Sequence, residues 1–306
     1  MIVRSPSVSL QISLAPADVG HARHILPHQL RQWAGQVQEI LCTLDLRRSG
    51  GRFGEDWHVR SPQLVELVKS VCSEHPNARW VEVDYSRRAR RVVSRAFFAG
   101  RRVPLKDYRG GPYYSYFFGL NAVRHDYVFH LDSDMLFGGG SQSWVSEALH
   151  VLQERPAVFV CSPLPGPPTP DGQARQQKAR IEPFHSLAHG FDHFTSRLFL
   201  IDRRQLSALG PLVPMRKFGR RKAPQAWLRR TSTYDLPELL ISATMKARRV
   251  QRFCFLGAPP GVWAVHPDER SVRFYAHLPE IIQRIERGDI PQTQRGFYDL
   301  QESMLA

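Results

Sequence analysis

Residues 8–14, "VSLQISL", alternate between apolar and polar side chains. A period of two predicts a β-strand. The period then lengthens, and "HARHILPHQLRQWAGQVQ" (21–38) reads as a helix. Asp18 stands where a capping carboxylate is expected, and Pro27 should kink or divide the helix. "EILCTLDL" (39–46) is the next strand, followed by a polar loop with Gly50, Gly51 and Gly54. "SPQLVELVKSVCSEH" (61–75) has amphipathic helical spacing, with Ser61 as N-cap and Pro62 at the first helical position. "ARWVEVDYS" (78–86) predicts a third strand. After a basic stretch and "VPLKDYRGGP", residues 113–123 form an apolar helix and "YVFHLDSD" (127–134) a fourth strand. Strands alternating with helices predict an α/β fold, with a mostly parallel sheet covered on both faces.

The second half continues this order less regularly. "GSQSWVSEALHVLQERP" (140–156) predicts a helix and "AVFVCSP" (157–163) a strand. Five prolines and two glycines in 163–172 predict a rigid, irregular loop. Residues 173–190 are polar and show no clear period. "FTSRLFLIDRRQLSALGPL" (194–212) reads as a strand feeding a helix, and 216–230 as a basic loop. "DLPELLISATMKARR" (235–249) predicts a helix with Asp235 at its N-terminal end, and "VQRFCFLG" (250–257) a late strand. Together these give one domain: a nucleotide-binding half (1–135), a continuous second half (136–265) expected to complete the site, and a C-terminal tail (266–306).

Composition places the chain among ordinary globular proteins, since 42% hydrophobic and 23% charged residues can build a sizeable core. The formal charge of +14 favours anionic partners: nucleic acid, acidic membrane surfaces or phosphorylated small molecules. It is carried by short arginine-rich clusters at 87–91, 216–222 and 246–249. Each reads most simply as a solvated face, and no nucleic-acid-binding signature accompanies them, so no nucleic-acid partner is expected. Peripheral membrane contact through these clusters stays open. The four cysteines, Cys42, Cys72, Cys161 and Cys254, form no C-x-x-C pair, and Cys42 and Cys254 lie in apolar runs expected to be buried and reduced. Without a signal peptide or membrane-length apolar segment, the expected location is the cytoplasm.

The chemistry sits at the end of the fourth strand. There "HDYVFHLDSDMLFGGG" (125–140) runs from apolar residues into Asp132, Ser133 and Asp134. Ligands of open parallel sheets bind beyond the carboxyl ends of the strands. Two carboxylates one residue apart at such an end can flank one hard cation, Mn²⁺ or Mg²⁺, which also takes substrate phosphates. A lone D-x-D is common by chance. The apolar strand before it and the α/β alternation give this one its weight.

With these residues in view, the chain resembles the GT-A glycosyltransferases, a Rossmann-related class, and within it the large family-2 group of inverting sugar transferases. "LNAVRHDYVFHLDSDM" (120–135) carries the likeness. The resemblance spans most of 8–257, but only 109–137 is specific. It implies that Asp132 and Asp134 form the metal motif, with the metal bridging the two phosphates of a nucleotide-diphosphate-sugar, by the family's habits a UDP-sugar. It implies that Asp45 contacts the base, that the backbone at Ala15 and Pro16 contacts the nucleoside, and that Arg109 reaches a phosphate. The family's general base, an acid at the start of a late helix, falls on Asp235, with Glu238 as the alternative; Tyr234 stands where the family commonly has a first acid. His266 resembles a C-terminal histidine that some members bring to the metal, and Arg270 can pair with the diphosphate as a planar fork.

The implied activity is metal-dependent glycosyl transfer to a hydroxyl acceptor, inverting if the Asp235 base is real. A nucleotidyltransferase also uses carboxylates, metal and an α/β sheet, but "SLAPADVGHARH" (13–24) lacks the glycine density of its phosphate loop. A basic nucleic-acid-binding protein gives no use for the D-x-D. The sequence names neither the sugar, the acceptor nor the oligomeric state.

Overall fold

The computed structural model describes residues 6–49, 54–217 and 232–305. The strands are β1 (Val8–Leu14), β2 (Glu39–Leu44), β3 (Ala78–Glu82), β4 (Tyr127–Asp132), β5 (Leu136–Gly138), β6 (Val158–Pro165), β7 (Arg180–Ile181), β8 (Ala188–Phe191), β9 (Leu198–Asp202), β10 (Gln251–Phe255) and β11 (Trp263–Val265). The helices are α1 (Val19–Trp33), α2 (Trp57–Ser73), α3 (Arg87–Phe98), α4 (Tyr114–Ala122), α5 (Trp144–Glu154), α6 (Arg203–Ala208), α7 (Pro237–Arg248) and α8 (Val272–Arg287).

The main sheet has the order β3-β2-β1-β4-β9-β6-β10-β8-β7. β3, β2, β1 and β4 are mutually parallel, as are β6 and β10. The α/β architecture expected from the alternation is therefore present, with one difference at its centre. β9 runs antiparallel between β4 and β6 and satisfies an edge of each. All five of its residues are buried, as its continuous apolar run requires. β8 and β7 also add antiparallel ladders at the far edge.

Both faces are covered. Val8, Leu10, Ile12 and Leu14 of β1 pack with Leu26, Leu30 and Trp33 of α1 and with Leu64 and Val68 of α2. On the other face Leu41, Val128 and Val160 pack with Val93, Phe97 and Phe98 of α3 and with Phe117 and Leu120 of α4. The polar residues Ser9 and Gln11 of β1 are buried as well. Ser9 donates to Glu39 Oε2 at 2.5 Å, Gln11 donates to Thr43 Oγ1 at 2.7 Å, and Gln11 Oε1 bonds to His130 Nδ1. A period of two thus marks here two buried faces of different chemistry, not one dry and one wet face. α4 closes on this polar row at Gly119, where a Cβ would lie 2.8 Å from Gln11 Nε2.

Several local expectations are corrected. α1 runs unbroken through Pro27. The Asp18 carboxylate does not cap α1; it accepts from Ala15 N at 2.8 Å, closing the short turn between β1 and α1. α2 begins at Trp57, so Ser61 and Pro62 lie inside it. The basic stretch 87–91 opens α3, where Ser86 Oγ accepts from Ala89 N at 3.2 Å. β6 continues through Pro165 into the expected loop, and the unreadable segment 173–190 contributes β7 and part of β8. Gly50, Gly51 and most of the basic loop 216–230 lie outside the described residues.

The C-terminal elements return to the carboxyl end of β4. β11 pairs with β5 and β6. α8 buries Phe274, Leu278 and Ile281 against Ile25 of α1 and Leu136 of β5. Cys42, Cys161 and Cys254 are buried free thiols, and Cys72 is half-buried. No described helix is long and apolar enough to cross a membrane.

Candidate functional site

A cleft opens where the carboxyl ends of β1, β2 and β4 meet. Ala15, Pro16, Asp45, Asp132, Asp134 and Arg270 all line it. The strand ends are tied together by backbone: Asp45 N donates to Leu14 O at 2.8 Å, and Asp132 N to Arg197 O at 2.8 Å. α1 holds the turn after β4 from below. Gln29 Nε2 donates to Asp132 O (2.9 Å) and Met135 O (3.0 Å), and His21 Nε2 meets Ser133 Oγ at 3.0 Å. Burial holds the His21 imidazole below its ordinary pKa, which suits this neutral hydrogen bond. The D-x-D turn is therefore fixed by side chains of a helix, not left to a free loop.

The two motif carboxylates differ. The Asp132 side chain is 38% exposed and lies 3.4 Å from His130 Nε2. The Asp134 side chain is only 6% exposed, with Arg270 Nη2 at 3.3 Å and His266 Nε2 at 3.5 Å from its Oδ2. Burial opposes its ionisation, but the charge and hydrogen bond of His266 and then the charge of Arg270 overcome this and hold its carboxyl well below the usual range. Burial likewise opposes protonation of His266, and Asp134 with Asp299 raises its pKa above the ordinary value. His266 is set by the tail: its N–H donates to Tyr298 O at 2.9 Å, and its ring stacks on Tyr298. Arg270 also reaches Asp18 Oδ1 at 3.4 Å, bridging the ends of β1 and β4.

Among the described residues no group of three or more His, Cys, Asp and Glu side chains forms a ready metal centre. Asp134 Oδ1 is nonetheless buried without a hydrogen-bond partner. With Asp132 one residue away, the donors here are carboxylate oxygens, which fit a hard divalent cation. They are a partial set, of the kind that leaves remaining coordination positions to phosphate and water.

At the other end of the cleft, Asp45 Oδ2 is 2.7 Å from Lys106 Nζ and its Oδ1 accepts from Tyr85 OH at 2.9 Å. Arg47 lies over the Tyr85 ring at 5.0 Å. Burial, followed by the Asp45 charge, pushes the Tyr85 phenol far up, so it remains a donor. Arg109 does not line the cleft: its Nε donates to Tyr108 OH at 2.9 Å, while neighbouring Gly110 and Gly111 do line it.

Asp235 precedes α7, and its Oδ1 accepts from Leu236 N at 3.0 Å. Glu238, in the first turn of α7, accepts from Ser196 Oγ at 3.2 Å. Arg197 shares the electrostatic environment of Asp132, Asp134 and Glu238. Hydrogen bonds tie Glu238 to Ser196, whose neighbour Arg197 accepts from Asp132 N through its carbonyl, whereas Asp235 N donates to Met215 O at 2.8 Å. Lys106, Tyr85 and Arg197 were missed in the sequence. A single basic residue among 42 carries no local signal, and only the fold gathers them.

No family model and no curated protein matches the chain. Among solved structures, 4-diphosphocytidyl-2C-methyl-D-erythritol synthase from Anaerococcus prevotii DSM 20548 matches with TM-score 0.45 at 11% identity, over 92% of this chain and 100% of that one. A mannosyltransferase from Pyrobaculum calidifontis, in complex with GDP-Man and Mn²⁺, matches with TM-score 0.44 at 12% identity, over 95% of this chain and 66% of that one. GalNAc-T7 with UDP, GalNAc and Mn²⁺ matches with TM-score 0.45 at 10% identity, over 90% of this chain and 48% of that one. The chain therefore spans less than two thirds of the last two. At these identities and TM-scores none of the likenesses assigns a family or an activity to the chain.

Proposed function

We propose that the chain is a GT-A-type glycosyltransferase that moves a sugar from a nucleotide-diphosphate-sugar to a hydroxyl acceptor. The observation that carries this reading is one cleft joining two recognition ends. Asp45, Lys106 and Tyr85 lie at the β2 end; Asp132, Asp134 and Arg270 lie at the β4 end. A nucleotide diphosphate is a molecule with a polar base at one end and a doubly charged group at the other, and the cleft matches that order.

In this reading Asp45 and Tyr85 orient the base, and the backbone at Ala15 and Pro16 supports the nucleoside. Arg270, set by Asp18 and Asp134, lies against the departing diphosphate, where negative charge develops. Asp132 and Asp134 would hold Mn²⁺ or Mg²⁺, which supplies charge neutralisation to the same phosphates. His266 orients Asp134 and is the nearest imidazole to it. Glu238, near the motif and hydrogen-bonded to Ser196, is the stronger candidate to accept the acceptor proton, with Asp235 second. A direct displacement with such a base is inverting. The proposed division is a nucleotide half (1–135), an acceptor half (136–265) and a tail (266–306) that supplies His266 and Arg270.

The test is a calorimetric panel of UDP-, GDP- and ADP-sugars with and without Mn²⁺, followed by assay of sugar release. Metal-dependent binding of one nucleotide class with slow hydrolysis supports the reading, and UDP-sugars are the first to try. No binding of any nucleotide-sugar in the presence of metal overturns it.

A further inference from the structure

The arginine cluster 87–91, which in the sequence reads as a solvated face, belongs to a larger charged layer. α3, α4, α6 and α7 pack over one face of the sheet. Together they carry nine arginine and lysine residues and one acid, Glu238. The helices on the opposite side, α1, α2, α5 and α8, carry seven basic residues and five acids. The helical charge is therefore one-sided, and α3 is its centre. Its Val93, Phe97 and Phe98 are buried, which leaves Arg87, Arg88, Arg91 and Arg95 exposed. At 3.6 residues per turn these four lie within an arc of roughly 100°. Among the described residues none of them meets a carboxylate.

The fold brings the cluster 246–249 beside it. Leu212 N donates to Phe97 O at 3.0 Å, at the end of α3. Two residues earlier, a Cβ at Gly210 would lie 3.2 Å from Arg248 Nη2 of α7. The exposed Lys246, Arg248 and Arg249 thus adjoin the C-terminal end of α3. Three exposed apolar side chains stand on the same layer: Val92 (47%), Val213 (53%) and Leu239 (41%). Unpaired like charges at this density repel one another, and an anionic surface removes that repulsion. The charges are spread along helices and gathered in no pocket, so a small anion does not match them. A single-stranded nucleic acid takes exposed aromatic rings for stacking. Among the described residues the one exposed phenylalanine, tyrosine or tryptophan is Tyr275, on α8. Arginines along one helix face with apolar side chains between them suit a lipid headgroup layer. We infer that the layer of α3, α6 and α7 docks the protein on an anionic phospholipid surface. Tyr85 precedes α3 by two residues and Glu238 opens α7, so the docked face adjoins the cleft at both places. The docking surface does not depend on the glycosyltransferase reading.

The test sediments the full chain with vesicles of phosphatidylcholine alone and of phosphatidylcholine with about one third phosphatidylserine. The expected result is binding to the acidic vesicles only. Raising the salt from about 0.1 M to about 1 M, which shortens the screening length to roughly 3 Å, should release the protein. Each arginine facing the lipid is worth about fivefold in affinity, so Arg88→Gln, Arg91→Gln and Arg95→Gln combined should weaken binding about a hundredfold. Arg91→Gln alone should cost about fivefold and keeps the measurement decisive if the triple variant loses its fold by circular dichroism. As control, Lys69→Gln, Arg273→Gln and Arg287→Gln combined remove the same charge from α2 and α8 and should leave binding within about twofold of wild type. Equal binding to neutral vesicles overturns the docking surface. So does unchanged affinity in the α3 variants, or an equal loss in the control. Tighter binding to duplex DNA or single-stranded RNA than to the acidic vesicles also overturns it and makes the partner a nucleic acid.

Discussion

Asp132 and Asp134 are separated by one residue yet sit in different electrostatic settings, one open to the cleft and one enclosed by His266 and Arg270. Asp134→Asn keeps the shape and removes the charge. It should lower Mn²⁺ affinity by at least about tenfold, read directly by metal titration without any substrate; an unchanged affinity would remove Asp134 from the metal site. At the opposite end, Asp45→Asn should weaken UDP binding about tenfold while leaving pyrophosphate affinity unchanged. Equal losses for both ligands would place Asp45 at the phosphates instead of the base. The motif carboxylates were legible because the strand before them has an unmistakable apolar pattern. Arg197 and Lys106 were not, because their meaning comes from elements far away in sequence.

Elements show where periodicity was a good guide and where it was not. β1 and β10 follow their apolar patterns closely. α3 was hidden because "RRARR" reads as a charge run, although Ser86 before it is a capping signal and Val93, Phe97 and Phe98 supply the buried face. The buried polar face of β1 could not be read either, since Gln11 is satisfied only by Thr43 and His130 of neighbouring strands. The contact between α1 and α8 makes a prediction about pH. Glu286 meets His28 Nδ1 at 2.7 Å and Arg31 Nη2 at 2.6 Å. Its hydrogen bond with His28 first, and then with Arg31, lowers its pKa to about 2. A carboxyl depressed in the folded state stabilises above its unfolded pKa, and that stabilisation is lost as pH falls through the folded value. Glu286→Gln should therefore lower the melting temperature near neutral pH, and the gap from wild type should close between about pH 4.5 and 2. The side chain is 38% exposed, so solvent screening keeps the effect within about 1 kcal/mol. A gap that stays constant across this range would mean the carboxylate is not the cause.

For the molecule as a whole, the alternation of strands and helices was enough to predict the α/β sheet and the edge at which the cleft opens. The antiparallel direction of β9 was not readable, because strand direction depends on where the chain crosses the sheet and not on the strand's own residues. If the cleft binds a nucleotide diphosphate, ligand at a hundred times its dissociation constant should stabilise the fold by about 2.7 kcal/mol, raising the melting temperature by roughly 5 °C. A flat thermal-shift profile for every nucleotide tested would leave the cleft without its proposed occupant. The place of β9 also bears on the order in which the chain can finish folding during synthesis. β4 pairs with β1 on one side but waits on the other for Leu198–Asp202, about seventy residues later in translation. Until that segment has left the ribosome, the nascent chain carries an open hydrogen-bonding edge along β4. A fragment ending at residue 135 should consequently self-associate on sedimentation, whereas one ending at residue 212 should hide that edge. Asp132 and Asp134 are therefore encoded early, but the strand that carries them is finished late.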